Sequence, residues 1–272
     1  RSDLLVYLCS LSLPKSFKRI VTIHGKYGTY LQGNYLIDLL RKMFVKQQSK
    51  IWETADNVIV ISESIKDWLK HLNPSINPIV IPYGIEVSPM DDYDNFKTYT
   101  LGYLGKLNKN KGIEDLIDVY VTLLKKENFN KLEPNLLIGG VGSENFIKSI
   151  KRRISDKHIQ FLGYVEDRYS FFNSIEVFIF PSYSEGLGLV LLEAMSHGVL
   201  CITRDVTPMN SIIKNEVDGF LFKDNNELIE IIEKALMLNS LEKDKMVKSA
   251  LEKIEKSYSI MQMYLSIDKA YN

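Results

Sequence analysis

The chain has 272 residues, of which 45% are hydrophobic and 25% charged, and its 34 basic and 34 acidic side chains give no net charge. These proportions are ordinary for a globular protein of one large or two modest domains, and the balanced charge gives no support for nucleic-acid binding. No apolar run approaches the ~18 residues of a membrane span, and the spacing of the two cysteines, Cys9 and Cys201, suggests neither a disulfide framework nor a metal site.

Short apolar runs alternate with amphipathic stretches along the whole chain. The predicted strands are 4–8, 19–23, 58–61, 78–81, 100–104, 135–139, 159–162, 177–180, 199–203 and 220–222. Helical spacing is clearest after residue 112, where one face carries Ile113, Leu116, Ile117, Tyr120, Leu123 and Leu124. Strands that alternate with helices predict parallel sheets covered on both faces, which is a doubly wound α/β architecture.

Residues 35–52 combine apolar and basic side chains at helical spacing. They include Leu36, Leu39, Leu40, Met43 and Phe44 together with Arg41, Lys42, Lys46 and Lys50. A basic amphipathic helix can lie on an anionic membrane surface. An ordinary half-buried helix gives this pattern more often, and we favour that interpretation.

The best candidate for a domain boundary is the polar stretch 87–97, which follows the turn residues Pro82-Tyr83-Gly84. About four strands precede it and about six follow, so the second sheet is the more complete of the two. At the end of the chain, residues 257–271 place Ile260, Met263, Tyr264 and Ile267 on one side. We expect this segment to be a docking helix.

Two lysines follow the strand predicted at 100–104. Lys106 and Lys111 lie between this strand end and the start of the next helix, which is the usual ligand side of an open α/β sheet. Two ammonium groups at this position can hold a diphosphate by charge and hydrogen bonding. A lysine-rich turn taken alone is more often simply exposed to solvent.

Glycines end the next two predicted strands. Residues 137–142 contain three glycines but lack the full Gly-x-Gly-x-x-Gly spacing, so a phosphate site and a tight turn that lets backbone approach a ligand fit equally well. Gly163 ends the strand after it. The backbone of Gly163, Tyr164 and Val165 could lie against a nucleobase.

The segment 177–198 is the most informative part of the chain. An apolar strand is followed by a turn bracketed by Gly186 and Gly188, and apolar residues then recur at helical spacing. The unpaired N–H groups and the dipole at such a helix start form an anion site. Glu185 and Glu193 frame it. An anion site beside two carboxylates suits a ligand that carries both phosphate and hydroxyl groups, such as a sugar nucleotide.

Taken together, these segments resemble the retaining glycosyltransferases of GT-B fold, in particular family 4 (glycosyl transferases group 1), whose members transfer sugars from nucleotide donors. The resemblance covers nearly the whole chain and is carried by segments 81–85, 105–107 with 111–112, 140–142, 161–163 and 185–193, of which the last is highly specific. It implies two Rossmann-like parallel-sheet domains, the first incomplete because of an N-terminal truncation. Residues 1–88 would form the partial acceptor-side domain, 89–256 the nucleotide-sugar donor domain, and 257–272 a helix that returns to the first domain.

The resemblance also implies roles for individual residues. Glu193 would hold the ribose hydroxyls, and the expected catalytic residues are His24, Glu185, Lys106 and Lys111. Glu185 would lie beside the transferred sugar and the lysines would hold the diphosphate. The remaining donor contacts are implied at Gly105, Gly142, Gly163, Tyr164, Val165, Gly186, Leu187, Gly188 and Leu189. Since lysines supply the positive charge, neither a cofactor nor a metal ion is expected, and no cluster of metal-ligating residues stands out in the sequence.

His24 follows the strand predicted at 19–23, and in this family a histidine there often faces the sugar. A strand-end histidine taken alone is more often a structural hydrogen-bonding residue. The other motifs lead us to prefer the sugar-facing role.

The chain departs from the family pattern at two further places. Ser211 occupies the position where an acidic residue is expected, and the segment 207–213 lacks the usual glycine pair. Lys106 stands where arginine is common, which keeps the charge but loses the bidentate fork of a guanidinium.

The expected function is retaining transfer of a hexose-like sugar from a nucleotide-sugar donor to a hydroxyl of a carbohydrate or lipid-linked acceptor, in the synthesis of cell-surface polysaccharide or glycolipid. We expect a cytoplasmic location, with peripheral contact to the inner membrane face for a lipid-linked acceptor, and no nucleic-acid partner. One alternative is a truncated nucleotide-sugar-binding module without transfer activity. Another is a phosphorylase-like or epimerase-like enzyme on the same fold.

Overall fold

The computed structural model describes residues 17–27, 35–87, 100–154 and 157–271. The chain divides into two compact units, Arg1–Gly84 with Ile260–Asn272, and Ile85–Ser259, which we call the small unit and the large unit. The strand predicted at 4–8 and most of the polar stretch 87–97 lie outside the described residues.

The strands of the described residues are β1 (Ile20–Ile23), β2 (Asn57–Val60), β3 (Ile79–Val80), β4 (Thr100–Leu104), β5 (Asn135–Gly139), β6 (Ile159–Gly163), β7 (Val177–Phe180), β8 (Leu200–Arg204) and β9 (Phe220–Phe222). The helices are α1 (Tyr35–Glu53), α2 (Glu63–Leu72), α3 (Ile113–Leu123), α4 (Glu127–Asn130), α5 (Glu144–Lys151), α6 (Arg168–Asn173), α7 (Leu189–Ser196), α8 (Met209–Ile212), α9 (Asn225–Met237), α10 (Ser240–Ser257) and α11 (Ile260–Tyr271).

The small unit contains a parallel sheet in the order β1-β2-β3. Helix α11 packs on it through Met263 and Ile267, and the side-chain amide of Asn57 donates to the Ala270 carbonyl at 2.5 Å. Tyr264, expected on the docking side, is 65% exposed. It lies ~100° around the helix from Met263 and therefore outside the narrow stripe that meets the sheet.

Helix α1 departs from its sequence pattern. The apolar residues that drew attention to it are exposed, with Leu36 at 63% and Phe44 at 60% exposure. The buried side of α1 is formed instead by Val45, Ser49 and Trp52, which recur at intervals of three and four residues. Helix α1 is half-buried, but by a different face from the one that the apolar residues suggested.

The large unit contains a six-stranded parallel sheet in the order β6-β5-β4-β7-β8-β9. Strand β4 lies between β5 and β7, and its residue Leu101 pairs with Leu136 of β5 on one side and with Val177 of β7 on the other. The strands β5 and β6 thus extend the sheet on one side of β4, and the later strands β7, β8 and β9 extend it on the other side. The predicted doubly wound α/β architecture is confirmed, and the segments that leave β4 and β7 lie at the switch point, where open α/β sheets bind ligands.

Candidate functional site

The turns that follow β4 and β7 are in direct contact at the switch point. The backbone N–H of Tyr183 donates to the Asn110 carbonyl at 3.0 Å. Gly112 has φ +67°, and a Cβ at this position would lie 2.2 Å from the Pro181 carbonyl oxygen. Only glycine allows both this left-handed backbone and this approach of the two turns.

This contact brings together two of the predicted site residues. Lys111 ends a short 3-10 helix whose start is capped by the Asn108 side chain, which accepts from the Lys111 N–H at 3.2 Å. The Lys111 Nζ lies 2.6 Å from Glu185 Oε1, and their side chains are only 25% and 13% exposed. The site therefore contains a half-buried ion pair that bridges the ends of two neighbouring strands.

Lys106, the second predicted lysine, is exposed and has no ion-pair partner among the residues that the structure describes. Its carbonyl accepts from the buried Tyr103 hydroxyl at 3.1 Å, which anchors the backbone of the turn. Burial, reinforced by the negative charge of Glu185, raises the pKa of Tyr103. The hydroxyl thus keeps the proton that it donates to the turn.

Glycines join the turn after β4 to those after β5 and β6. Gly105 N–H donates to the Gly139 carbonyl at 3.1 Å, and Gly140 N–H donates to the Gly163 carbonyl at 2.6 Å. A Cβ on Gly140 would lie 1.7 Å from the Gly105 carbonyl oxygen, and one on Gly142 would lie 2.3 Å from that of Leu107. Close backbone packing accounts for these glycines without a bound phosphate. Tyr164, next to Gly163, is 74% exposed, and Val165 is half-buried.

Helix α7 begins beside Glu185. Gly188 precedes its first residue with φ +86°, and no side chain caps the helix start. In the predicted turn from Gly186 to Leu189, the Leu187 side chain is buried and the Leu189 side chain is 39% exposed. The positive end of the helix dipole is therefore not neutralised by a capping side chain.

Glu193 lies on α7, and its carboxylate pairs with a residue that the sequence analysis did not single out. Arg168 Nη1 lies 2.6 Å from Glu193 Oε1 and 2.7 Å from Oε2. Arg168 is the first residue of α6 and follows Val165 by three positions. Its position, three residues after the segment 163–165 that is expected at the nucleobase, was the feature of the sequence that could have pointed to it.

His24 belongs to the small unit, where it follows β1. Its Nδ1 hydrogen-bonds with the Tyr83 hydroxyl, and the two rings stack with centroids 5.7 Å apart. The residue thus has the structural partner that a strand-end histidine usually has, and its proposed role toward a sugar stays a prediction. Ser211, which stands at the expected acidic position, is exposed on α8.

Neither a metal-binding group nor a helix able to span a membrane occurs in residues 17–27, 35–87, 100–154 and 157–271. Within them, no group of three histidine, cysteine or acidic side chains is arranged to hold a metal ion. None of the helices in this part of the chain is both long and apolar enough to cross a membrane.

Comparison with known proteins adds to this geometry. The chain is 26% identical over 238 residues to the capsular polysaccharide biosynthesis glycosyltransferase CapM of Staphylococcus aureus, covering 80% of this chain and 62% of CapM. It is 26% identical over 248 residues to the O-antigen biosynthesis glycosyltransferase WclY of Escherichia coli, covering 85% of this chain and 66% of WclY. The chain thus spans somewhat less than two thirds of these relatives.

A similar fold occurs in Anabaena HepE, whose structure was solved in complex with UDP and glucose. The TM-score is 0.80 at 14% identity, over 98% of this chain and 74% of HepE. The family model described as "Glycosyl transferases group 1" matches residues 94–253, more than half of the chain and all of the segments that meet at the switch point. The chain therefore belongs to the glycosyl transferases group 1 family.

Proposed function

We propose that this protein is a retaining glycosyltransferase that moves a hexose-like sugar from a nucleotide-sugar donor to a hydroxyl acceptor during synthesis of cell-surface polysaccharide or glycolipid. The observation that carries the proposal is the Lys111–Glu185 pair at the switch point, beside the uncapped start of α7 and the carboxylate of Glu193. The capsule and O-antigen enzymes CapM and WclY support the polysaccharide context. HepE, bound to UDP and glucose, supports a uridine nucleotide as the first donor to test.

The Lys111–Glu185 pair suggests how the diphosphate binds. A diphosphate carries more negative charge than one carboxylate, so it competes effectively with Glu185 for the Lys111 ammonium group. Lys106, exposed nearby on the same turn, supplies a second cation, and the α7 dipole adds to the attraction. Once Lys111 turns to the diphosphate, Glu185 is available to accept a hydrogen bond from a sugar hydroxyl.

The Glu193 carboxylate is proposed to hold the ribose. It is oriented by Arg168 across 2.6 and 2.7 Å, and a carboxylate can accept further hydrogen bonds on its remaining lone pairs. Two ribose hydroxyls are suitable donors. The backbone of residues 163–165 would then lie at the base.

The proposed reaction takes place on one face of the sugar. The bond between the anomeric carbon and the diphosphate oxygen breaks, and a bond from the acceptor oxygen forms on the same face. The departing phosphate oxygen takes the proton of the acceptor hydroxyl, so no carboxylate nucleophile is required. Lys106, Lys111 and the start of α7 stabilise the charge that develops on the diphosphate, which is the contribution expected of preorganised groups.

Calorimetric titration with UDP, GDP and ADP, followed by a transfer and donor-hydrolysis assay with the matching UDP-, GDP- or ADP-sugar, tests the proposal. We expect micromolar to millimolar binding of one nucleotide and release of its nucleoside diphosphate from the donor. Binding without turnover would favour the binding module. Incorporation of inorganic phosphate would favour a phosphorylase, an epimerised donor would favour an epimerase, and no binding of any nucleotide would contradict the donor site.

We also propose peripheral contact of α1 with an anionic membrane, which suits a lipid-linked acceptor. The exposed apolar stripe contains Leu36, Leu40, Met43 and Phe44, with Lys42, Lys46 and Lys50 beside it. Apolar side chains flanked by lysines favour an anionic lipid surface. Each lysine near such a surface contributes ~1 kcal/mol, so their joint replacement costs on the order of 100-fold in binding.

Co-sedimentation with phosphatidylglycerol vesicles tests this contact. Replacement of Lys42, Lys46 and Lys50 by glutamine should abolish most of the binding, whereas the same change at the exposed Lys223, Lys245 and Lys248 of the large unit should not. Equal losses in the two triple variants, or equal binding to neutral phosphatidylcholine vesicles, would contradict the assignment to α1.

A further inference from the structure

Arg204 is a buried arginine at the carboxyl end of β8, only 6% exposed. Its guanidinium makes hydrogen bonds in three directions. Nε donates to the Pro181 carbonyl at 3.1 Å, Nη1 to the Lys223 carbonyl at 3.2 Å, and Nη2 to Asp115 Oδ2 at 2.6 Å. The planar fork is thus used on every side, a geometry that a lysine cannot reproduce.

Aromatic side chains enclose the same guanidinium. Its central carbon lies 4.0 Å from the centroid of the Tyr183 ring and 4.8 Å from that of Phe222. The Tyr183 hydroxyl also donates to Asp115 Oδ2, and this hydrogen bond raises the pKa of Tyr183, with burial as a second cause. Arg204, Asp115 and Tyr183 therefore form one closed network.

The network joins the two turns of the candidate site. Asp115 lies in the first turn of α3, four residues after Lys111, and Tyr183 lies two residues before Glu185. Pro181, which accepts from Arg204, is also the residue that Gly112 approaches. Asp115 and Tyr183 are thus each attached to a short segment that carries one partner of the Lys111–Glu185 pair, and Arg204 links these two segments from β8.

We propose that Arg204 is a positioning residue of the donor site, which acts through Asp115 and Tyr183 to hold the Lys111 turn against the Glu185 turn. This inference rests on the proposed function, because it assigns a purpose to the geometry of the diphosphate site. A buried ion pair is weak support for stability, since apolar side chains of similar size would serve as well. The directional hydrogen bonds of the Arg204 guanidinium instead fix the distance between the Lys111 turn and the Glu185 turn.

A double-mutant cycle in nucleotide binding tests this role. The quantity measured is the fold loss in affinity caused by Lys111→Met, for the nucleoside diphosphate that binds in the titration above. In the wild-type background we expect a loss of about tenfold or more, as for a hydrogen bond to a charged group. In the Arg204→Lys background, Lys111 is no longer held in register, and we expect the same substitution to cost less than about threefold.

The cycle separates positioning from stability. A merely structural arginine would lower the melting temperature but leave the fold loss due to Lys111→Met unchanged in the Arg204→Lys background, and that result would overturn the inference alone. If Lys111→Met costs nothing in the wild-type background, the proposed donor site fails and the inference fails with it. Arg153→Lys is the matched control, because Arg153 pairs with Glu114 and Asp118 on α3 but does not connect the Lys111 turn to the Glu185 turn.

Tyr183→Phe provides the same test if Arg204→Lys does not fold. The variant keeps the ring against the guanidinium and removes only the hydroxyl that donates to Asp115. We expect a reduced cost of Lys111→Met in this background too, and an undiminished cost would contradict the inference.

Discussion

At the scale of single residues, both acidic side chains of the candidate site already form ion pairs within the protein. Glu185 is paired with Lys111, and Glu193 with Arg168. Both carboxylates are only partly exposed, so a ligand must replace or share contacts that exist in the free protein. The two pairs lead to different tests, because one faces the proposed diphosphate and the other the proposed ribose.

Glu193→Gln should weaken nucleoside diphosphate binding about 10–100-fold, since hydrogen bonds to a charged acceptor contribute about 1.5–3 kcal/mol. Isothermal titration measures this loss. Glu176→Gln is the matched control, because Glu176 is also paired with a basic side chain, Lys243 at 2.7 Å, but precedes β7 and so lies at the end of the strand away from the candidate site. Unchanged affinity in Glu193→Gln would refute the ribose role.

Gly112→Ala should lower the free energy of unfolding more than Gly163→Ala. Both glycines have left-handed backbones, with φ of +67° and +71°, and an alanine there costs about 1–2 kcal/mol. At Gly163 a Cβ has no heavy atom within 4 Å, whereas at Gly112 it meets the Pro181 carbonyl. Urea unfolding of the two variants measures both free energies of unfolding, and their difference gives the cost of the steric clash at Gly112. Equal losses of stability in the two variants would argue against contact between the turns.

At the scale of elements, the strands of the large unit were predicted well. Those at 100–104, 135–139, 177–180 and 220–222 coincide with β4, β5, β7 and β9. Strands of a parallel sheet are covered on both faces and therefore read as continuous apolar runs, which glycine, proline or polar residues end. Local sequence is sufficient for such elements.

The faces of α1 and α11 and the contacts of the site could not be predicted in the same way. Which side of a helix is buried depends on neighbours that are distant in sequence. Likewise, the order of the strands determines that the Lys111 turn meets the Glu185 turn, and no local pattern reveals that order. Arg204, a single arginine at a strand end, gave no signal of the network it forms.

Helix α9 offers a test of local stabilisation. Asp224 caps it, and its Oδ1 accepts from the N–H groups of Asn226 at 2.8 Å and Glu227 at 3.1 Å. Asp224→Ala should therefore cost ~1 kcal/mol in the free energy of unfolding. Asn226→Ala, an exposed change in the same turn, should stay within about 0.5 kcal/mol of wild type, and similar losses in both would contradict the capping role.

At the scale of the whole molecule, the family match at 94–253 lies within the large unit, Ile85–Ser259. Its sheet, the turns at the switch point and both carboxylates of the proposed donor site belong to this unit. The stability of its core is therefore relevant to the proposed function, and buried ionisable groups make that stability depend on pH.

The free energy of unfolding should fall as the pH rises above about 9. Burial raises the pKa of Cys201, Tyr103 and Tyr258 from ordinary values of 9.0 for the thiol and 10.0 for the phenols. The unfolded chain then loses protons that the folded chain keeps, so the stability present at lower pH is lost by up to ~1.4 kcal/mol per pH unit for each group. Urea unfolding between about pH 8 and 10.5 measures this slope.

Cys201→Ala should make the pH dependence shallower, because it removes the group whose ionisation begins first in the unfolded chain. The fully buried site accommodates the smaller side chain with a modest loss of stability at neutral pH. A slope of zero in the wild type would show that none of the three groups has a raised pKa in the folded chain, and an identical slope in the variant would exclude a contribution from Cys201.

The Lys111–Glu185 pair also has a consequence for turnover. In the proposed reaction, the Glu185 carboxylate that is displaced by the donor stays within reach of the Lys111 ammonium group after transfer. It then competes with the spent nucleoside diphosphate, so the pair favours departure of the product as well as limiting the affinity for it. In a site that contains its own counterion, the product is thus bound less tightly and is released more readily for the next cycle of transfer.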